Sequence, residues 1–307
     1  MIRPPATEMW RAGFIPAPIA TLAEPAAWAA WASRIAWLPD PGPWRYLADP
    51  FGLQRDGLTH VFVEAFDYRT LHGVIEHHEL APDLTWRNRS TVLALPHHVS
   101  YPFIVEDAGE VFMIPENYRS NAITLYRARR FPAEWVRETT LLEGVPGAEP
   151  SLFKHEGRWW MFFTVVSGGR DQRELHLAHA ERLTGPWRLH RQNPVINDAT
   201  GGRPGGTPFL AGDGAVMLPV QDCSRTYGEA LRFARFTELS PENVVVEHTA
   251  ARLTGGLASA AERDGFHTLA HCGTGTLFDV KRFQHDWGRH VVDLRRRLAK
   301  RGFGGNA

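Results

Sequence analysis

The sequence predicts an all-β protein: a five-bladed β-propeller with a short N-terminal lead-in and a C-terminal helix. An apolar segment, a Gly-containing turn and a second segment rich in aromatic or β-branched residues recur five times along the 307 residues. Strands that repeat with a period near fifty residues are typical of propeller blades. The turns combine an acidic or small residue with Gly, which is the strongest local signal for a hairpin. They are Asp56-Gly57, Ala108-Gly109, Glu156-Gly157, Asp213-Gly214 and Asp264-Gly265.

The segments that open the repeats predict the inner strands, which line the central channel of a propeller. They place Asp49, Tyr101, Glu149, Arg203 and Gly256 at intervals of 48 to 54 residues. Because the first residue of each inner strand points at the axis, the four side chains other than Gly256 are expected to converge at one mouth. Two carboxylates, a phenol and a guanidinium around one opening suit a polyhydroxylated ligand.

The organisation that follows is one domain with two short extensions. Residues 1–44 form the lead-in, with a strand near 10–14 that could close the ring against the last blade. Residues 45–284 form the five blades, and residues 285–307 form a basic helix and tail. The helix is expected to be solvated and docked on the propeller. A peripheral contact with an acidic membrane or a partner protein is the alternative.

Composition excludes several classes of function. Lys plus Arg and Asp plus Glu both number 34, and a net charge of zero argues against a nucleic-acid partner. The chain starts without the pattern of a signal peptide, and it holds no run of ~20 apolar residues. A cytoplasmic protein is therefore expected. Cys223 and Cys272 predict buried free thiols rather than a disulfide framework or a metal motif.

No cofactor and no metal site are expected. The Gly-rich run at 201–206 lacks the Lys-Ser/Thr of a P-loop and the Rossmann spacing, so it indicates a loop that allows close ligand approach. The run Glu-His-His-Glu at 76–79 is not a zinc motif on a strand, because alternation places His77 and His78 on opposite faces. A packed, neutral His267 is favoured over an axial metal ligand.

Several longer motifs resemble the N-terminal propeller domain of plant glucosamine inositolphosphorylceramide transferases. They include HVSYPF at 98–103, MIPE at 113–116, RPGG at 203–206 and QDCS at 221–224. The same pattern occurs in bacterial proteins of polysaccharide and natural-product gene neighbourhoods. The domain is in turn similar to the five-bladed catalytic fold of family-43 glycoside hydrolases, and in plants it accompanies a separate glycosyltransferase domain.

The resemblance implies roles for the carboxylates. Family-43 enzymes use an Asp of blade one as base, a further Asp that tunes pKa, and a Glu as acid. Asp49 matches the base, and Glu149 takes the second position with Glu in place of the usual Asp. Arg203 stands where those hydrolases place the acid, so Glu64 or Glu116, which close the second strands of blades one and two, could supply it. For each of these two, a structural salt bridge is the alternative.

Six residues are candidates for substrate binding. Arg203 could hold a phosphate or a sugar carboxylate through two parallel hydrogen bonds; its alternative is a salt bridge to Glu149. For His98 and Tyr101, which flank the mouth, the alternative is a hydrogen bond at a strand end. The remaining candidates are Asp222, Tyr227 and His267.

Three functions remain open. The first is a carbohydrate-active enzyme that hydrolyses or transfers a glycosyl unit by carboxylate acid/base chemistry, with a carbohydrate or anionic glycoside as substrate. The second is a non-catalytic propeller that binds a glycan or substrate for a partner transferase. The third is a pocket adapted to natural-product biosynthesis. Carboxylates at acid/base distance would favour the first, carboxylates all paired with Arg the second, and a dry aromatic pocket the third.

Overall fold

Strand pairing closes the chain into a ring of five sheets. The computed structural model describes residues 4–166 and 173–302. Four sheets are built from strands that follow one another in sequence, and the fifth combines strands from both ends of the chain. The predicted fold class, an all-β five-bladed propeller with a C-terminal helix, is confirmed.

The lead-in supplies two strands and two short helices, and the blades follow in chain order. The lead-in holds β1 (Ala6–Ile15), α1 (Ile19–Leu22), α2 (Trp28–Trp31) and β2 (Ala36–Trp37). Blade one contains β3 (Arg45–Arg55), β4 (Leu58–Asp67), β5 (His72–Leu80) and β6 (Trp86–Leu93). Blade two contains β7 (Ser100–Asp107), β8 (Glu110–Glu116), β9 (Ala122–Arg130) and β10 (Glu134–Glu143).

The second half of the chain completes the ring. Blade three contains β11 (Gly147–His155), β12 (Arg158–Val165), β13 (Glu174–Ala180), β14 (Arg188–Leu189) and β15 (Ile196–Asn197). Blade four contains β16 (Phe209–Leu210), β17 (Val216–Asp222), β18 (Ala230–Leu239) and β19 (Val244–His248). Blade five contains β20 (Gly265–Cys272) and β21 (Gly275–His285), joined by β1 and β2, and α3 (Gly288–Gly302) follows. Short 3-10 helices lie at Pro25–Ala27, Ala32–Arg34, Tyr118–Ser120 and Gly255–Leu257.

The predicted hairpin turns form in the first three blades. Asp56 and Gly57 have φ values of 53° and 77°, so both residues of the turn are left-handed. This is the backbone of a type I′ turn, whose twist matches that of the strands it joins. The turns Ala108-Gly109 and Glu156-Gly157 repeat these angles and join the first two strands of blades two and three.

Blade five differs from the prediction. The segment around Gly256 forms a 3-10 helix rather than an inner strand, and the turn at Asp264-Gly265 precedes a strand instead of joining two. The inner strand is β20, and its hairpin to β21 turns at Gly273-Thr274. The pair Asp264-Gly265 matches the hairpin turn Asp56-Gly57 in sequence, so pairing between whole strands decides which turn becomes the hairpin.

The lead-in is part of the propeller. Strand β1 pairs antiparallel with β21 from Ala6 opposite His285 to Ile15 opposite Thr276. Between β1 and β2, the side chain of Trp28 is fully buried. Its ring packs edge-on against Phe266 and Phe278 at centroid distances of 5.4 and 5.1 Å. The lead-in and blade five therefore share one apolar core.

The C-terminal helix α3 is docked on the propeller through its charged side. The guanidinium of Arg289 lies 4.2 Å above the ring of Tyr68, and Nη1 of Arg296 donates to the Tyr68 carbonyl at 2.9 Å. The predicted tail beyond residue 302 lies outside the described residues. Within the described ranges, no helix is long and apolar enough to cross a membrane.

Both cysteines are free and buried, as the sequence predicts. Burial raises the pKa of the Cys223 thiol to about 11 and raises that of Cys272 as well. Since the thiolate is the reactive form of cysteine, these side chains act as packing groups.

The burial of Trp28 predicts that Trp28→Ala destabilises the fold by about 3–5 kcal/mol, because it empties the core shared by the lead-in and blade five. Chemical denaturation measures this change in the free energy of unfolding. Trp287, whose side chain is 51% exposed, provides the matched control. Trp287→Ala is expected to change stability by less than about 0.5 kcal/mol. Equal effects of the two substitutions would contradict a structural role for the lead-in.

Candidate functional site

A bulge in each of three inner strands directs a side chain towards the axis. Asp49, Tyr101 and Glu149 have φ values of 50°, 45° and 51°, and the strand register is interrupted at each of them. A proline follows each residue, and because proline has no N–H the bulge sacrifices no ladder hydrogen bond there. A residue before proline usually adopts extended backbone, but the bulge imposes a left-handed backbone on Asp49.

Asp49 is held by blade five and blade two. Its backbone N–H donates to Oδ2 of Asp279 at 2.8 Å, and its Oδ1 accepts from the hydroxyl of Thr268 at 3.1 Å. Its Oδ2 accepts from the backbone N–H of Tyr101 at 3.3 Å. These contacts fix the carboxyl group in one orientation. Only 3% of the residue is exposed.

His267 bridges two carboxylates. Its Nε2 lies 3.4 Å from Oδ1 of Asp49, and its Nδ1 lies 2.7 Å from Oδ1 of Asp279. The ring stacks on Trp10 with centroids 3.7 Å apart. Burial lowers the pKa of His267, but the charges of Asp279 and Asp49 outweigh burial and raise the pKa above its usual value. The raised pKa favours the charged form of His267, and the packed, neutral histidine that the sequence favours stays an untested prediction.

The same trio has the composition of a cation site. The ligand atoms of Asp49, His267 and Asp279 lie within 4.8 Å of one another. Both ring nitrogens of His267 face carboxylate oxygens. A ring with a proton on each nitrogen therefore fits this arrangement as well as a bound cation does.

Arg203 joins the carboxylates of blades two and three. Its Nη2 lies 2.8 Å from Oε1 of Glu149 and 3.4 Å from Oε2 of Glu116. Glu149 also accepts hydrogen bonds from Tyr227, at 3.0 Å, and from Gln221. The backbone N–H of Glu149 donates to Oε2 of Glu116 at 3.1 Å. The salt-bridge alternative for Arg203 is thus what the structure contains, with Glu116 as a second partner.

Glu64 lies at the edge of this cluster beside His98. The backbone N–H of Gly73 donates to Nδ1 of His98 at 2.9 Å, so the ring proton of the neutral form lies on Nε2. That nitrogen is 3.5 Å from Oε1 of Glu64. Burial lowers the pKa of His98 to about 4, which keeps the ring neutral beside Glu64.

The axial cluster comprises seven buried residues, Asp49, Glu64, Glu116, Glu149, Arg203, His267 and Asp279. Three of its carboxyl groups have raised pKa values. Burial raises the pKa of Asp49 to about 7, against the opposing charge of His267. Burial likewise raises the pKa of Glu116 to about 7, against the opposing charge of Arg203. Burial and the charges of Asp49 and Glu116 raise the pKa of Glu64 well above its usual range. Asp49 and Glu116 can thus gain or lose a proton near neutral pH, as acid/base catalysis requires.

Two predicted residues have other roles. The hydroxyl of Tyr101 accepts from the backbone N–H of Gly206 at 2.7 Å and bonds the hydroxyl of Ser151 at 2.8 Å. The side chain is fully buried, and its phenol connects blades two, three and four. The carboxylate of Asp222 pairs with Arg232 at 2.9 Å and with Arg252 at 3.4 Å, on the hairpin of blade four.

Sequence reasoning missed Asp279 and Trp10. Asp279 is fully buried on β21, within the apolar run Leu-Phe-Asp-Val at 277–280. An acidic residue inside an apolar strand is a usable signal, because burial of a carboxylate requires partners. Trp10 carries no such signal, since a lead-in tryptophan reaches the axis only after β1 has joined blade five.

The raised pKa of Glu116 predicts how stability depends on pH. The folded value of about 7 exceeds the unfolded value of ~4.3. The stability linked to Glu116 is therefore fully present below ~4.3 and is lost as the pH rises through about 7. Glu116→Gln should flatten the fall of unfolding free energy over this window by up to about 1.4 kcal/mol per pH unit.

Urea denaturation at several pH values measures this slope. Glu24, an exposed carboxylate, provides the control: Glu24→Gln should keep the wild-type slope. A wild-type slope in Glu116→Gln would show that Glu116 is ionised throughout the window.

Comparison with known proteins identifies the family. A family model described as glucosamine inositolphosphorylceramide transferase 1, N-terminal, matches residues 23–254. Glucosamine inositolphosphorylceramide transferase 1 of Oryza sativa subsp. indica is 32% identical over 205 residues, and its Arabidopsis thaliana counterpart is 30% identical over 205. Each match covers 65% of this chain but only 27% and 26% of the relative. The chain therefore spans about a quarter of the length of these relatives.

Solved structures support the fold. A family 117 glycoside hydrolase of Zobellia galactanivorans aligns with a TM-score of 0.53 at 13% identity, over 69% of this chain and 72% of that one. A GH43_1 enzyme of Xanthomonas citri complexed with xylotriose also reaches 0.53 at 13% identity, over 77% and 87%. At such identity the likeness concerns the fold alone. The sequence matches confirm the resemblance seen in the motifs, and the chain belongs to the family of the N-terminal domain of glucosamine inositolphosphorylceramide transferase 1.

Proposed function

We propose that this protein is a carbohydrate-active enzyme that hydrolyses or transfers a glycosyl unit at the axial cluster. The observation that supports this function most directly is the pair Asp49 and Glu116, two buried carboxyl groups from adjacent blades with pKa values of about 7. Glycoside chemistry uses two carboxyl groups, one that donates a proton to the leaving group and one that acts as base or nucleophile.

The contacts suggest a role for each group. Asp49 is oriented by Thr268 and His267 and serves as base or nucleophile. Glu116, whose raised pKa keeps a large share of the group protonated at neutral pH, serves as acid. Glu149 is surrounded by donors from Arg203, Tyr227 and Gln221, which suits a group that orients its neighbours.

The relatives support the substrate class. They are named glucosamine inositolphosphorylceramide transferase 1, and two solved structures with this fold are a family 117 glycoside hydrolase and a GH43_1 enzyme. The match covers 27% of the first relative, so the reaction in its name is not assigned to this chain by the match alone. The shared class is a glycosyl group, and this class is what we propose.

A non-catalytic propeller that binds glycans is the second candidate. It is favoured by the pairing of Glu116 and Glu149 with Arg203, since paired carboxylates resemble a structural network. Asp49 contacts His267 rather than an arginine, and this difference supports the enzyme. The third candidate, a pocket adapted to natural-product biosynthesis, gains no support for an apolar substrate, because the axial cluster is made of charged groups.

An activity screen with aryl glycosides and nucleotide sugars tests the proposal. We expect turnover by the wild type and a loss of about 10²–10⁴-fold in kcat/KM for Asp49→Asn. Asp83, a surface carboxylate hydrogen-bonded to Thr85, provides the control, and Asp83→Asn should keep wild-type activity. Binding of sugar without turnover, unchanged in Asp49→Asn, would instead support the binding module.

The leaving group of the substrate separates the two carboxyl roles. Glu116→Gln should lose about 10²–10⁴-fold on methyl glycosides, whose leaving group needs a proton. On dinitrophenyl glycosides, whose leaving group departs without one, the loss should be small. Equal losses on both substrates would exclude Glu116 as the acid.

We also propose that α3 binds an anionic membrane surface. Four apolar side chains along it are half-exposed: Trp287 at 51%, Val291 at 50%, and Leu294 and Leu298 at 57% each. Their spacing places them on one helix face. Besides Arg289 and Arg296, which face the propeller, the segment 288–302 contains four basic residues, which complement anionic lipid.

Co-sedimentation with vesicles of about one-third phosphatidylserine tests this contact. The double substitution Leu294→Asp and Leu298→Asp should weaken binding at least ~10-fold. Leu189, with 53% exposure on blade three, is the control, and Leu189→Asp should bind as the wild type does. Equal binding by the wild type and the double variant, or no binding by the wild type, would overturn the proposal.

A further inference from the structure

A second group of ligand-type side chains lies away from the axial cluster, on blade one. His60 on β4 stands opposite Glu79 on β5, and His77 precedes Glu79 by two residues on the same strand. Opposed residues, and residues two apart along a strand, share one face of a sheet. The three side chains therefore project from one face, and their ligand atoms lie within 4.8 Å of one another.

The run at 76–79 is divided between two faces, as its alternation predicts. His78 turns to the other face, where its Nε2 lies 3.3 Å from Oε2 of Glu76. His77 and Glu79 remain together, and the third group comes from the neighbouring strand. The run alone makes no zinc motif, because alternation separates His77 from His78, as the sequence predicts. The contribution of His60 depends on strand register, which the run does not show.

The spacing of the two rings suits a metal ion. Nδ1 of His60 lies 3.0 Å from Nε2 of His77. Two nitrogen ligands of a tetrahedral zinc ion, each at 2.0–2.1 Å from the metal, are about 3.3 Å apart. The rings would separate by only a few tenths of an ångström. The proton in the hydrogen bond between the two rings would move to the other nitrogen of the ring that carries it, so both rings stay neutral when the metal binds.

The surroundings hold these side chains in place. His60 and His77 are 6% and 2% exposed, and the ring of Phe131 from blade two lies 4.8 Å from that of His60. The side-chain amide of Asn88 donates to Oε2 of Glu79 at 2.6 Å. Such hydrogen bonds from outside the ligand set orient the carboxylates that bind metals.

We propose that His60, His77 and Glu79 bind one Zn²⁺ ion, with water in the fourth position. Two imidazoles and one carboxylate are a ligand set that zinc prefers in proteins. The ion would fasten β4 to β5 within blade one. The site shares no residue with the axial cluster, so it stands or falls independently of the glycosyl chemistry.

Titration of chelator-treated protein with Zn²⁺ by calorimetry, and with Co²⁺ by visible absorption, tests the proposal. We expect a dissociation constant of about 1 μM or lower for zinc in the wild type. His77→Gln should weaken this binding by about 100-fold and reduce the stoichiometry by one. His78, equally buried on the same strand but on the opposite face, is the control, and His78→Gln should bind zinc as the wild type does.

A second substitution guards against loss of the fold. Glu79→Gln changes a partly exposed side chain and should weaken zinc binding by at least ~10-fold while the thermal transition of the metal-free protein stays near the wild-type value. Failure of the wild type to bind zinc would overturn the proposal. Equal affinity and stoichiometry in the wild type and His77→Gln would also overturn it, and would direct attention to the trio of Asp49, His267 and Asp279.

Discussion

Charged groups that are buried at the axis of a propeller must find their partners within the ring, because an isolated carboxylate is strongly destabilised away from water. Here the partners of Asp49, Glu116 and Glu149 come from other blades. Arg203 of blade four reaches Glu149 of blade three and Glu116 of blade two, and His267 of blade five reaches Asp49 of blade one. The contacts that neutralise the carboxylates therefore also link blades two, three and four, and separately blades one and five.

This network also divides the carboxyl groups by their chemistry. Glu149 accepts from several donors, which hold its carboxyl group in place. Asp49 and Glu116 each face one cationic partner in a buried setting, and their pKa values rise to about 7. Neighbouring acids in unlike environments are a usual basis for acid/base catalysis. The unlike partners of the carboxyls thus give the proposed enzyme its two roles.

Sequence reasoning succeeded where local rules decide the structure and failed where distant pairing does. The turn at Asp56-Gly57 and the residue–proline bulge at Asp49 are local, so the first three blades and much of the cluster were predictable. The turn at Asp264-Gly265 has the same sequence as the turn at Asp56-Gly57. It precedes β20 instead of joining two strands, because β20 pairs with β21. Asp279 reaches Asp49 through blade five, and that blade was assigned incorrectly. Expectations on cellular location and on the roles of individual residues stay predictions.

Closure of the ring by β1 has a consequence for biosynthesis. Strand β1 precedes the blades in the chain, whereas its partner β21 follows the other four blades, so β1 is synthesised well before β21. Until then β1 has unpaired edges, and such edges invite pairing with other chains. Contacts between residues so far apart in sequence also form slowly. The nascent chain therefore passes through an open ring, and a chaperone that shields β1 would act on the most vulnerable part of the molecule during translation.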